Sequence, residues 1–265
     1  MADGFILIDK PEGLTSRRAL DMVIRRVGGP GGNEGTLDPF ASGLIIAGLG
    51  TATRFMRFLH DLPKVYEAVL LLGRETDSLD RDGTTGRIMP VPVITPEAAD
   101  AAAAGLVGTI MQVPPVFSAL KVAGRRAYDL AREGTVVDMA PRPVRVNRFA
   151  ITAIVRERVS FTCEVASGTY VRALGRDLAA AFGTVGHLEA LRRVAIRPLR
   201  ADDGVAPDAA ALTSVRPAGE VLTWLPAYHA EGAAVAELRQ GHAVAAVLAP
   251  GFYRLFAEGA FIGAG

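Results

Sequence analysis

The chain of 265 residues holds a single cysteine, Cys163, and only four histidines. One thiol excludes an internal disulfide and fits a reducing cytoplasm. No Cys/His spacing of the kind that holds zinc occurs. Net charge is nearly absent as well: 29 Lys and Arg against 28 Asp and Glu leave +1, whereas a nucleic-acid binder usually carries a basic excess. No run of about eighteen uninterrupted apolar residues is present, so no membrane span is expected. The start, MADGFILID, has neither a basic segment nor an apolar stretch of signal-peptide length, and none is expected. Internal repeats and low-complexity tails are missing too.

What is present is an ordinary folded composition, half apolar and 22% charged. The length suits one large core, or a main domain with a small appendage. Charge is unevenly spread. Arg17, Arg18, Arg25, Arg26, Arg54 and Arg57 crowd the first sixty residues, and Lys121, Arg125, Arg126, Arg132, Arg142, Arg145 and Arg148 follow the midpoint. Acids gather between Glu75 and Asp82. Any one of these arginines, taken alone, reads as a solvated side chain.

Periodicity supplies the elements. Phe5 to Ile8 reads as a short strand, ended by Lys10-Pro11-Glu12-Gly13. Thr15 or Ser16 caps a helix whose stripe is Leu20, Val23, Ile24 and Val27, and the glycines from Gly28 to Gly32 end it. Leu44 to Leu49 is a helix-like apolar run. Lys64 to Leu72 is a branched, apolar strand, followed by an acidic loop from Thr76 to Gly86. Thr95-Pro96 opens an alanine-rich helix to about Ala104. Gln112-Val113-Pro114-Pro115 cannot be regular structure; a strand from Phe117 to Val122 and a helix closed by Gly134 are expected after it. Phe149, Ile151, Ala153, Val155 and Val159, Phe161, Cys163, Val165 alternate as a half-buried hairpin, which places Cys163 in the core. A helix with Val171, Leu174, Leu178 and Phe182 on one side follows, then a helical stretch from Leu188 to Arg193. Residues 201–218 read as a linker or peripheral layer, and the last forty residues as short strands and turns. The organisation expected is a catalytic body over residues 1–225 and a small β module over 226–265.

The stretch NEGTLDPFASG, Asn33 to Gly43, sets one carboxylate, Asp38, between Gly35 and Gly43. Asp followed by Pro is a common helix start, with Asp as N-cap. An acid in a stiff, glycine-flanked loop is equally a catalytic candidate, and the stretch alone leaves both readings open.

Five separated segments decide between them: IDKPEGLTS (Ile8 to Ser16), EGTLDPFASGLIIAGLGTAT (Glu34 to Thr53), KVYEA (Lys64 to Ala68), QVPPVFSALKVAGRRAYDLAREG (Gln112 to Gly134), and SGTYVRALGRDLA (Ser167 to Ala179) with LRR (Leu191 to Arg193). In this order and spacing they resemble the bacterial tRNA pseudouridine synthase B family over about residues 5–200, with a weaker echo after Pro226. The resemblance implies an α+β pseudouridine-synthase fold, a mixed, largely antiparallel sheet flanked by helices and loops, and a small PUA-like β domain at the C-terminus. It implies isomerisation of uridine-55 in the TΨC loop of tRNA, without a cofactor, by a protein that binds the tRNA T-arm at the elbow and needs to be no more than a monomer.

By the same resemblance Asp38 is the catalytic aspartate, which either attacks the ribose or removes a sugar proton. Arg172 pairs with it, lowering its pKa by opposite charge. Tyr66 stacks on the base and takes part in proton transfer from carbon 5. Tyr170 and Leu191 line the uracil pocket, and Lys10 and Pro11 support the site from behind. The arginine-rich regions become phosphate contacts. Where the family usually has histidine in H-x-G-T-L-D, this chain has Asn33, which can hydrogen-bond in the space left by the flipped base but cannot stack there. A guide-RNA-dependent relative and a tRNA-folding chaperone are the rival readings.

Overall fold

Apolar runs with no alternation mark the strands at the centre of this fold, because a strand covered on both faces has no polar side to show. The computed structural model describes residues 2–118, 120–122, 125–126, 139–246 and 248–265, with backbone alone for Lys121, Val122, Arg125 and Arg126. Its strands in chain order are β1 (Gly4–Lys10), β2 (Gly31–Glu34), β3 (Ser42–Leu49), β4 (Lys64–Leu72), β5 (Arg74–Thr76), β6 (Thr85–Ile88), β7 (Gly108–Gln112), β8 (Lys121–Val122), β9 (Arg125–Arg126), β10 (Arg142–Val155), β11 (Arg158–Val165), β12 (Gly186–Ile196), β13 (Leu199–Arg200), β14 (Ala227–Ala230), β15 (Arg254–Ala257) and β16 (Ala260–Ala264).

The main sheet runs β1-β3-β12-β4-β11-β10-β7, with β2 added to β3 and β13 to β12. Only the β3–β12 pairing is parallel, at Ser42–Arg192 and Gly43–Arg193; the others are antiparallel. This is the mixed, largely antiparallel α+β architecture expected. Beyond β1, one edge of β3 pairs with β2 from Leu49 to Ile46 and with β12 at its other end. The segment carrying Asp38 spans the seam between those two partners.

Two expected helices are strands. Leu44 to Leu49 is the buried core of β3; a short apolar run fits a buried strand as well as a helix. Leu188 to Arg193 lies inside β12, although Leu, Glu, Ala and Arg are good helix formers. Bulges between Leu188 and Ala190 and between Arg193 and Ala195 break its two-residue period, which hides the strand. Gly31 and Gly32 begin β2, while the helix Ser16–Val27 ends at Gly28, whose φ is +78°. Its N-cap is Thr15, which accepts from Arg18 N at 3.1 Å. The acidic loop is a hairpin, β5 against β6, with Asp77 to Thr84 as its tip. Among the described residues of 117–122 only Lys121–Val122 is strand; in the stretch expected as helix up to Gly134, Arg125–Arg126 is strand β9, paired with β8, and the rest lies outside the described residues.

In the β10–β11 hairpin, Val159, Phe161, Cys163 and Val165 are buried as expected. Ala153 and Val155 on β10 are exposed. β7 covers only the stretch from Arg142 to Val146, and a bulge at Ile151/Ala153 turns the tip outward.

One core lies between the sheet and the helices Ser16–Val27 and Val171–Ala181, built around Ile6, Ile8, Leu20, Phe40, Leu70 and Leu174. A second lies on the opposite face, with Phe5, Leu7, Leu44, Ile46, Ile196 and Leu222. Alternate residues of β1 therefore feed two cores. Residues 201–218 form a peripheral layer along β1, where Asp9 N donates to Val205 O at 2.9 Å and Phe5 N to Arg216 O at 2.8 Å. β14, β15 and β16 make a separate sheet, joined to the second core by Phe261 and by Arg254, which donates to Gly219 O at 2.8 Å. No helix among the described residues is long and apolar enough to cross a membrane.

Candidate active site

Asp38-Pro39 starts no helix; Ala41 N donates back to Asp38 O at 3.1 Å and closes a turn. The segment is instead clamped at every second residue. Arg193 Nη2 donates to Gly35 O at 2.7 Å. The buried Ser16 hydroxyl accepts from Leu37 N at 2.8 Å and donates to Leu37 O at 3.0 Å. Gly13 N donates to Pro39 O at 2.8 Å, and Lys10 Nζ reaches the same carbonyl at 3.4 Å. Clamps on both sides fix the backbone of Asp38 and leave its carboxylate for other work.

That carboxylate faces Arg172, the second residue of the helix Val171–Ala181. Arg172 Nε lies 2.9 Å from Asp38 Oδ2 and Nη2 lies 3.2 Å from Oδ1, a two-pronged pair. The Arg172 side chain is 4% exposed and that of Asp38 38%, so the pair sits at the floor of an opening. Arg172 is not dedicated to Asp38. Its Nη1 contacts Asp80 Oδ2 at 3.1 Å and Ser78 O at 2.6 Å, and Nη2 donates to Phe117 O at 2.9 Å.

Burial first, and this sharing second, reverse an expectation. Burial pushes the Asp38 pKa above its usual value, and the Asp80 carboxylate adds to the rise; Arg172 and Lys10 oppose both without cancelling them. One guanidinium serves two carboxylates, and the second of them, Asp80, works against the ionisation of Asp38.

Lys10 is fully buried and donates to Pro11 O at 2.9 Å and Leu14 O at 2.8 Å. Burial lowers its pKa to about 8, against the pull of Asp38 and Glu12. Through these bonds and the one to Pro39 O it ties the end of β1 to the residue after Asp38. Arg193, buried on β12, donates to Leu44 O at 2.7 Å and lies 3.5 Å from the Tyr66 hydroxyl. Gly43, at φ +106°, lets β3 approach it; a Cβ there would stand 2.2 Å from Arg193 O.

Tyr66 on β4 is nearly buried, opposite Cys163 of β11. Tyr170 caps the Arg172 helix and is held from two directions. Buried Gln112 accepts from Tyr170 N at 2.9 Å and donates to its carbonyl at 3.2 Å. Arg142 lies over the ring, 5.2 Å from its centroid. Arg142, expected as a phosphate contact, therefore braces the site.

Asp38, Tyr66, Tyr170, Arg172 and Leu191 all line one cavity of about 420 Å³, with Arg193. That is the size of a small-ligand site, which spans roughly 300–1,000 Å³. Asn33 is apart from them: it lies half-buried on β2 opposite Ala47 and does not line the cavity. Sequence reasoning missed Asp80, Arg193 and Gln112 as parts of the site. Arg193 and Gln112 each stood in one of the five segments, whereas Asp80 stood only among the acids from Glu75 to Asp82.

Residues 25–171 match the model of the TruB family pseudouridylate synthase N-terminal domain. The chain is 37% identical, over all of itself and 89% of the other protein, to tRNA pseudouridine synthase B of Aromatoleum aromaticum. To the protein of that name from Gluconacetobacter diazotrophicus it is 43% identical over 78% of this chain and 68% of the other. A solved H/ACA ribonucleoprotein bound to a substrate RNA containing 2'-deoxyuridine has the same fold at TM-score 0.71 and 19% identity, covering 97% of this chain and 75% of that one.

Proposed function

The chain belongs to the TruB family of pseudouridylate synthases and isomerises uridine to pseudouridine in tRNA, and on that premise we propose that its target is uridine-55 of the T-arm, with Asp38, Tyr66 and Arg172 as catalytic residues. The observation that carries the assignment is the two-pronged Asp38–Arg172 pair on the floor of a cavity walled by Tyr66, Tyr170 and Leu191.

The reaction breaks the bond between ribose C1′ and uracil N1, turns the base and joins C1′ to C5; C5 gives up its proton and N1 takes one up. Atoms and electrons balance within the substrate, so no cofactor is drawn on. Asp38 in its ionised form either attacks C1′ or takes the C2′ proton to give a glycal. Tyr66 supplies the face on which the flipped base rests and a hydroxyl for the C5 proton, beside the Arg193 charge. Tyr170 and Leu191 close the uracil site.

The target is taken out of the tRNA elbow by base flipping, at a cost of a few kcal/mol that backbone contacts offset. Arg18 and Arg25, exposed on the helix Ser16–Val27, make no ion pair among the described residues and suit phosphates. Residues 226–265 form a PUA-like β domain in this reading, after a body of residues 1–225, and the protein works as a cytoplasmic monomer. The sequence relatives named tRNA pseudouridine synthase B, at 37% and 43% identity, support a stand-alone tRNA enzyme over the guide-dependent rival, to which the likeness is one of fold.

The test is to incubate the purified chain with an unmodified tRNA transcript and map pseudouridine by position. Formation at position 55, lost in Asp38→Asn, is the expected result. A wild-type protein that refolds tRNA without modifying it would establish the chaperone reading instead.

A further inference from the structure

Among the side chains on the cavity wall that this chemistry leaves unused, one carries an aromatic ring. His60 ends the short helix Arg57–His60 and lines the same cavity as Asp38 and Tyr66. Its side chain is 62% exposed, yet it is fixed twice. Its Nδ1 lies 3.0 Å from Glu34 Oε1, and its carbonyl accepts from the buried Lys64 Nζ at 2.6 Å. Glu34 lies on β2, in the position next to Asn33, and also lines the cavity. Lys64 opens β4, two residues before Tyr66. Each anchor of His60 thus belongs to a strand that builds the site.

An imidazole held by one edge presents its faces. Glu34 occupies Nδ1, while among the described residues no ring stacks on His60 and no hydrogen-bond partner meets its Nε2. Two carboxylates stand near, Glu34 in contact with the ring and Asp61 next in the chain, while the nearby cation, Lys64, is buried against the His60 backbone carbonyl, so a phosphate seated on the ring would meet like charge first. A nucleobase meets no such opposition, because every base has a π-face that stacks on an aromatic ring.

We propose that His60 is a substrate-binding residue whose ring, oriented by Glu34, stacks on a nucleobase adjacent to the uridine drawn into the cavity, and so helps hold the RNA open. The inference rests on the reading that this cavity takes a flipped uridine of tRNA.

Single-turnover pseudouridine formation on unmodified tRNA, measured over a range of enzyme concentrations, tests it with His60→Ala and His60→Phe. His60→Ala is expected to need roughly tenfold more enzyme for half-maximal rate, while its plateau rate stays within about twofold of wild type. His60→Phe, which stacks but cannot bind Glu34, is expected to recover most of that loss. Thermal melts of both variants, matching wild type, separate binding from folding. Equal losses in the two variants would overturn the proposal in favour of a polar contact, and a half-saturation unmoved in His60→Ala would overturn it outright. A plateau that collapses in both variants would place His60 in the chemistry or the fold and overturn it too. Wild-type protein that forms no pseudouridine would instead defeat the parent reading, and this one with it.

Discussion

Burial of Asp38, together with the division of one Arg172 charge between two carboxylates, sets how the site responds to pH. In the proposed mechanism Asp38 acts ionised, yet its pKa lies above the free value of 3.8. The single-turnover rate should therefore fall, as pH drops, around a midpoint higher than that of an ordinary carboxylate. Asp80 contributes to the rise, so Asp80→Asn should move that midpoint to lower pH; a shift the other way would deny the coupling. Arg172→Ala leaves Asp80, with its side chain 7% exposed, as a buried charge stripped of its partner. Urea unfolding should register a loss of roughly 3–5 kcal/mol, with pseudouridine formation abolished. Asp38, Tyr66 and Arg172 were legible in the sequence because each sits in a distinctive segment. Asp80 was not, since several acids crowd the stretch from Glu75 to Asp82. Which of them turns inward is set by the left-handed Leu79, at φ +62°, and by a bridge to Leu188 far along the chain.

The sheet presents the catalytic segment through two junctions, each open to a test. At the first, β3 runs so close to β12 that Gly43 is required. Gly43→Ala should destabilise by an amount at or beyond the top of the usual 0.5–3 kcal/mol range, because a backbone atom of Arg193 blocks the new methyl. A melting temperature equal to wild type would mean that this parallel contact does not hold the segment. At the second, Lys10 ties the end of β1 to Pro39. Its folded pKa, about 8, lies below that of the unfolded chain, so the fold favours the neutral amine. The stability this contributes is complete above the unfolded value of 10.5 and is lost as pH falls through about 8. Between those limits wild type should gain on Lys10→Met by up to about 1.4 kcal/mol per pH unit. Parallel pH curves for the two proteins would contradict it. These elements were only half legible. The helix Ser16–Val27 and the hairpin β10–β11 announce themselves by period, whereas β3 and β12 are buried or bulged and resemble helices in sequence. Their pairing partners, not their own residues, make them strands.

At the scale of the whole molecule, a net charge of +1 rules out a broad attractive field for RNA, so binding has to depend on where a few cations stand. Several arginines that looked basic in sequence are occupied. Arg17 pairs with Asp21 at 2.9 Å, Arg26 donates to Ala210 O at 2.9 Å, and Arg142 lies over Tyr170. Sequence counts the charges but not their partners, so Arg17, Arg26 and Arg142 are weaker phosphate candidates than the clusters alone suggest. On the helix Ser16–Val27, Arg18 and Arg25 stand seven residues apart, two turns along one face, and both are exposed. If each neutralises one phosphate of tRNA, the double variant Arg18→Gln/Arg25→Gln should make the slope of log affinity against log salt shallower by about 1.4–1.8. Filter binding to a tRNA transcript between low and physiological salt measures it. A slope that does not move would take this helix out of the interface and leave the phosphate contacts to the arginines around Arg54 and Arg57, next to the C-terminal sheet, where Arg57 already lies 4.7 Å from the centroid of the Phe58 ring.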